Sequence, residues 1–307
     1  MMIELAIMVE GQNGLNWPRW QRLVTAVEDL GFAGLYRSDH YTNASPPDLD
    51  SLELWVSLTW LAANTQRIAF GPLVSPVSFR QPTMTARMAT AVDDLSHGRL
   101  TLGLGAGWQE REHTHYGWDL LDVPERFARF EEGLAIITRM LQSGEPVDFS
   151  GDYYQVQEAV LLPRPQRPGG PPILIGGNGP KRTLPLAAKY AQEWNAVYIS
   201  AVEFAAKNRM LDELLAANGR VPSDVRRSLM TRIEMGDEAA LAQKFAVSRL
   251  TMDELRARGL VLGTPGHIVA QLGQLAEAGV QRVMLQWLDL DDVGGLEVLA
   301  RDVLGQV

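Results

Sequence analysis

Short apolar runs alternate with helix-periodic segments along the whole chain of 307 residues, and no hairpin signal joins the first four runs. The runs fall at residues 3–9, 34–37, 68–74 (interrupted by Pro72), 100–104, 173–175, 195–198, within 228–235, and 282–285. Helical patterns occupy 17–30, 51–64, 81–95, 125–141, 181–190, 202–218, 238–258, 265–278 and 293–304, with Gly31 closing the first and Thr264-Pro265 opening the eighth. Strands separated by helices are parallel strands joined by crossovers. Eight of them predict an α/β chain of the (β/α)8 TIM-barrel type, a single domain over residues 1–307, with one insertion after strand four (105–124) and another before strand five (144–172). The rival, a doubly wound open sheet, wants a Gly-x-Gly-x-x-Gly turn after strand one. Only Gly11 and Gly14 stand there, at the wrong spacing.

Composition narrows the chemistry. There is no cysteine, so thiolate nucleophiles, disulfides and zinc–sulfur sites are excluded, and a cytoplasmic setting is expected. A net charge of −9 disfavours nucleic acid and anionic membranes as partners. No stretch approaches the roughly 18 apolar residues of a membrane span. Residues 1–9 are apolar but short and carry Glu4 where a leader would be basic, so they read as the first strand. The four lysines, Lys181, Lys189, Lys207 and Lys244, fall in helices or in one turn, which disfavours Schiff-base chemistry.

In a barrel of this kind the active site forms at the C-terminal strand ends. Strand five runs into Gly176-Gly177-Asn178-Gly179-Pro180-Lys181-Arg182 and then a helix. Glycines admit close backbone approach, a helix start leaves N–H donors unpaired, and Lys181 and Arg182 add positive charge, so the turn suits a phosphate. A tight turn without a ligand is about as good a reading of that segment alone. Arg164 and Arg167, with no acidic residue before Arg182, extend the expected basic patch. The other strand ends offer Asp39 and His40, then Val74, Ser75 and Pro76, then Gly105, Ala106, Gly107 and Trp108. His40 can titrate near neutrality and Asp39 could orient its loop, although a loop histidine held by carbonyls is the plainer reading. Glu112, His113 and His115 could line the pocket. His113 and His115 have no third ligand at local spacing, so no metal is expected.

These residues, in order, resemble a known family. Ser38-Asp39-His40, the run 73–80 from Leu73 to Arg80, the run 97–108 ending Gly105-Ala106-Gly107-Trp108, the turn 175–183, Glu193-Trp194-Asn195 and Gly263-Thr264-Pro265 are similar to segments of luciferase-like flavin and deazaflavin oxidoreductases. The resemblance covers essentially the whole chain and is nearest the branch that uses coenzyme F420, an 8-hydroxy-5-deazaflavin. It implies hydride transfer between the deazaflavin ring and a small organic substrate, usually by a homodimer. It further implies that Asp39 and His40 face the ring, that Val74 and Ser75 contact the ring system or the ribityl chain, and that Gly105, Ala106 and Gly107 line the cofactor chain. Gly176, Gly177, Asn178, Gly179, Lys181 and Arg182 would hold the phosphate. A non-prolyl cis peptide is implied within residues 72–75. Some members place a glutamate directly after the glycine turn as proton donor. Trp108 stands there in this chain, which leaves His40 and Glu112 as catalytic candidates. The alternatives are a flavin mononucleotide (FMN) monooxygenase, a non-catalytic cofactor-binding barrel and, more remotely, a barrel lyase.

Overall fold

A computed structural model describes residues 3–307. Its elements are β1 (Glu4–Val9), α1 (Trp17–Asp29), β2 (Gly34–Arg37), α2 (Leu54–Asn64), β3 (Ala69–Pro72), β4 (Ser75–Pro76), α3 (Pro82–Leu95), β5 (Leu102–Gly105), α4 (Glu110–Tyr116) and α5 (Val123–Gln142). There follow β6 (Val147–Ser150), β7 (Gln155–Ala159), β8 (Ile173–Gly176), α6 (Thr183–Tyr190), β9 (Glu193–Val197), α7 (Ala201–Ala217), β10 (Arg226–Met235), α8 (Glu238–Lys244), α9 (Met252–Ala257), β11 (Val261–Gly263), α10 (Pro265–Glu277), β12 (Arg282–Gln286) and α11 (Val293–Asp302).

The main sheet is parallel, in the order β3-β2-β1-β12-β10-β9-β8-β5-β4. β3 and β4 are two halves of one strand broken at Leu73 and Val74, and both halves meet β5. Ser75 pairs with Leu104, and the Thr101 N–H donates to the Phe70 carbonyl at 2.8 Å. The path therefore returns on itself as the eight-stranded barrel that the alternation predicts.

Two-residue periodicity sorts the side chains. On β1, Leu5, Ile7 and Val9 pack outward against the helices, whereas Ala6 and Met8 join Tyr36, Leu174, Met230 and Met284 inside the barrel. Below that apolar layer lies a charged one. Arg282 donates to the Tyr36 hydroxyl (2.8 Å), Glu193 (3.1 Å) and Glu4 (2.9 Å). Burial works against the Arg282 charge, but Tyr36, Glu193 and Glu4 outweigh it and raise its pKa.

Several boundaries differ from the sequence reading. The insertion before strand five holds an antiparallel hairpin, β6–β7. The insertion after strand four contains α4, ended by Gly117 in a left-handed conformation. The helical region 238–258 splits into α8 and α9 because Arg249 turns left-handed (φ 58°) and Thr251 starts a new capping box with Glu254. β11 was not anticipated. It pairs only with β10, and a small separate core of Leu241, Phe245, Met252, Leu255 and Leu262 lies beneath it.

Candidate functional site

A cavity of about 390 Å³ opens at the C-terminal ends of the strands. One wall is the break between β3 and β4, where Leu73 and Val74 are joined by the non-prolyl cis peptide expected within residues 72–75. The Val74 side chain spreads across two neighbouring strands. A Cβ on Gly105 would lie 2.7 Å from Val74 Cγ2, and one on Gly176 would lie 3.1 Å from Cγ1. Those glycines make room for Val74. Gly176 and Gly177 border the cavity with Gly107, whereas Gly105 and Ala106 lie behind the lining.

His40 stands at the lip, its imidazole edge-on to Trp108 with ring centroids 5.6 Å apart. Its Nδ1 meets Glu112 Oε1 at 2.8 Å, and the other oxygen of that fully buried carboxylate accepts from the Tyr41 N–H at 3.1 Å. Glu112 sits on α4, so the insertion after strand four delivers it to the loop that follows strand two. Burial lowers the His40 pKa, but the hydrogen bond and charge of Glu112, with lesser help from Glu10 and Asp39, bring it above the ordinary histidine value. Nδ1 is taken, which leaves Nε2 as the nitrogen free to exchange a proton with a ligand.

Asp39 is not among the residues that line the cavity. Its carboxylate is buried, accepts from Ser75 Oγ (2.7 Å) and is paired with Arg80 (2.5 Å), which also reaches Glu53 (2.9 Å). Asp39 and Ser75 thus brace the loops around the cavity from behind. The His-x-His pair separates: His113 is buried between Ser78 Oγ (2.8 Å) and the Gln109 carbonyl (2.7 Å), while His115 is exposed. Trp118 packs among Tyr41, Phe79 and Tyr116.

The glycine turn after β8 is held from the side. The Asn178 side chain bonds the Val197 backbone in both directions (2.6 and 3.0 Å), and Lys207 donates to the Asn178 carbonyl (3.0 Å). The helix begins at Thr183, two residues later than the sequence suggested, and no side chain caps it. Lys181 and Arg182 are exposed beside this open N-terminus, Arg182 lying over the Phe127 ring. The larger basic patch does not form. Arg164 donates to carbonyls at the end of α5 (Ser143, 2.6 Å), and Arg167 pairs with Asp93 near the end of α3 (3.2 Å). Both belong to the opposite end of the barrel.

Sequence reasoning missed a polar arc on the far side of the cavity. Glu10, Gln12, Ser38, Tyr198 and Gln286 all line it. Gln286 Nε2 donates to Glu10 (2.6 Å), Gln12 Nε2 donates to the other Glu10 oxygen (3.0 Å), Ser38 Oγ donates to Gln12 (2.8 Å), and the Tyr198 hydroxyl donates to Gln286. Asn195 lies deeper, buried, with its Oδ1 lacking any partner.

A family profile described as luciferase-like monooxygenase matches residues 4–252. An F420-dependent glucose-6-phosphate dehydrogenase of Kineococcus radiotolerans is 29% identical over 309 residues, covering 90% of this chain and 89% of that protein. An F420-dependent hydroxymycolic acid dehydrogenase of Mycobacterium tuberculosis is 30% identical over 76% of this chain and 64% of its own length. Among solved structures, an F420-dependent secondary alcohol dehydrogenase in complex with an F420–acetone adduct superposes with a TM-score of 0.86 at 17% identity, covering 99% of this chain and 98% of that one. At that identity the likeness concerns the fold.

Proposed function

The chain belongs to the luciferase-like monooxygenase family, and from that premise we propose that it is an oxidoreductase using coenzyme F420 to exchange a hydride with a small organic substrate. The observation that carries the reading is the His40–Glu112 pair beside a cavity floored by the buried methionine layer: a proton-handling group at the edge of a slot in the barrel mouth. Relatives of similar length that are F420-dependent dehydrogenases support the choice of cofactor.

The residues present fit such a group. Asn195 Oδ1, buried and unpartnered, is an acceptor for an N–H of a flat heterocycle, and Val74 offers an apolar face beside it. The uncapped start of α6, with Gly177, Gly179, Lys181 and Arg182 around it, suits a phosphate. When bound, the deazaflavin supplies two-electron hydride chemistry that makes little use of oxygen. The protein's part is to seat the substrate, exclude water and manage one proton. His40 Nε2 holds or releases that proton, and Glu112 stabilises the charged imidazolium. The homodimer implied by the resemblance belongs to this proposal and is read by sedimentation velocity.

Calorimetric titration of the purified chain with F420 and, in parallel, with FMN tests the reading. Tight F420 binding with weak FMN binding is expected; the reverse would move the protein to the oxygen-using members.

A further inference from the structure

The charge lining the cavity is one-sided. Glu10, His40 and Tyr198 are the titratable groups among its lining residues, and no lysine or arginine of the described residues lines it. The Glu10 carboxylate is held by two neutral amides, Gln286 and Gln12, instead of a cation. The His40 charge is already matched by Glu112. Arg232, whose field reaches Tyr198, lines a neighbouring cavity and is paired with Glu234 at 2.6 Å. Burial first, and the Glu10 charge second, push the Tyr198 phenol up to about 12, so it remains a donor. The remaining lining is largely apolar: Met8, Leu73, Pro76, Trp108, Val197 and Met230.

We propose that the Glu10–Gln286–Tyr198 wall selects an uncharged substrate, a small alcohol or carbonyl compound with an apolar flank, and rejects phosphorylated and carboxylate-bearing ones. The inference rests on the F420 reading above and narrows it. The Kineococcus relative is named for a phosphorylated sugar; in this cavity a phosphate would meet the Glu10 carboxylate and no cation other than His40, which is already paired with Glu112. An uncharged oxygen, by contrast, finds His40 Nε2 as a donor and the oxygens of Tyr198, Glu10 and Gln286 as acceptors, with methionine and valine surface for the carbon skeleton. The wall is built before any ligand arrives, because its amides and hydroxyls already satisfy one another.

The test uses the F420-loaded protein and two pairs in which one member carries an ionised group that the other lacks: methyl 3-hydroxybutyrate against 3-hydroxybutyrate, and glucose against glucose 6-phosphate. Binding is read from the change in cofactor fluorescence and turnover from cofactor absorbance. The uncharged ester should bind about tenfold or more tightly than its acid, since unscreened like charges within one cavity are costly. Glu10→Gln should narrow that ratio by improving the acid, and Gln286→Arg should narrow or reverse it, with thermal midpoints of both variants recorded as folding controls. The proposal is overturned if acid and ester bind equally, if the acid binds better, if neither ester nor glucose binds at millimolar concentration, or if Glu10→Gln weakens both members of a pair alike. Failure of the chain to take up F420 in calorimetry is a separate result, which removes the cofactor reading and this inference with it.

Discussion

His40 is pulled two ways: burial disfavours its charge and Glu112 favours it, and the favourable side prevails. Replacing His40 by Ala removes the group with a free ring nitrogen at the lip. It should lower kcat by about a hundredfold or more while changing F420 affinity little, which steady-state kinetics and calorimetry separate. Glu112→Gln keeps the shape and removes the charge, so the His40-dependent limb of the kcat/KM profile should move to lower pH. The same pair bears on stability. A folded-state pKa above the unfolded one means that the contribution is fully present below the unfolded value of about 6.5 and is lost as pH rises through the folded value. The difference in unfolding free energy between the natural chain and Glu112→Gln should therefore be larger near pH 6 than near pH 9, as measured by denaturant titration. The sequence pointed to His40 because a histidine after an apolar strand is conspicuous. Nothing local to Asp39 reveals that Arg80, 41 residues away, pairs with its carboxylate.

At the level of elements, the cavity wall depends on how closely β3, β4, β5 and β8 approach. A Cβ on Gly103 would lie 2.0 Å from the Pro72 carbonyl oxygen, a backbone atom with nowhere to go. Gly103→Ala should destabilise the barrel by about 2–3 kcal/mol or more in chemical denaturation. Gly105→Ala meets a side chain, Val74 Cγ2, which can swing aside. It should lose less stability than Gly103→Ala and more cofactor affinity, because Val74 then moves into the cavity. The barrel was legible in the alternation of apolar runs. On β1 a period of two sets Ala6 and Met8 apart from Leu5, Ile7 and Val9. Extending that period one step reaches Glu10, the signal that would have found the polar arc. The false basic patch has the converse cause. Adjacency in sequence ignores the height of a strand: β8 stands between Arg167 and Lys181, and its four residues rise about 13 Å, from one end of the barrel to the other.

For the whole molecule, charge and closure matter most. The chain carries −9 and F420 is a polyanion, so the proposed phosphate site at Lys181 and Arg182 would have to attract the cofactor against an unfavourable overall field. Added salt should weaken F420 binding to the natural chain. In the Lys181→Ala, Arg182→Ala double variant, affinity at low salt should fall by about tenfold and the salt dependence should flatten or reverse, because only the repulsion remains to be screened. An unchanged affinity in that variant would remove the phosphate assignment. Beneath the cavity, the methionine layer and then the network of Glu4, Tyr36, Glu193 and Arg282 fill the barrel. Among the described residues that plug closes the lower end of the cavity, leaving a blind alley approached from the strand ends. Two ligands sharing such an alley must queue: the one seated deeper arrives first and departs last, so steady-state kinetics should show a compulsory order, with the substrate's product released before the exchanged cofactor.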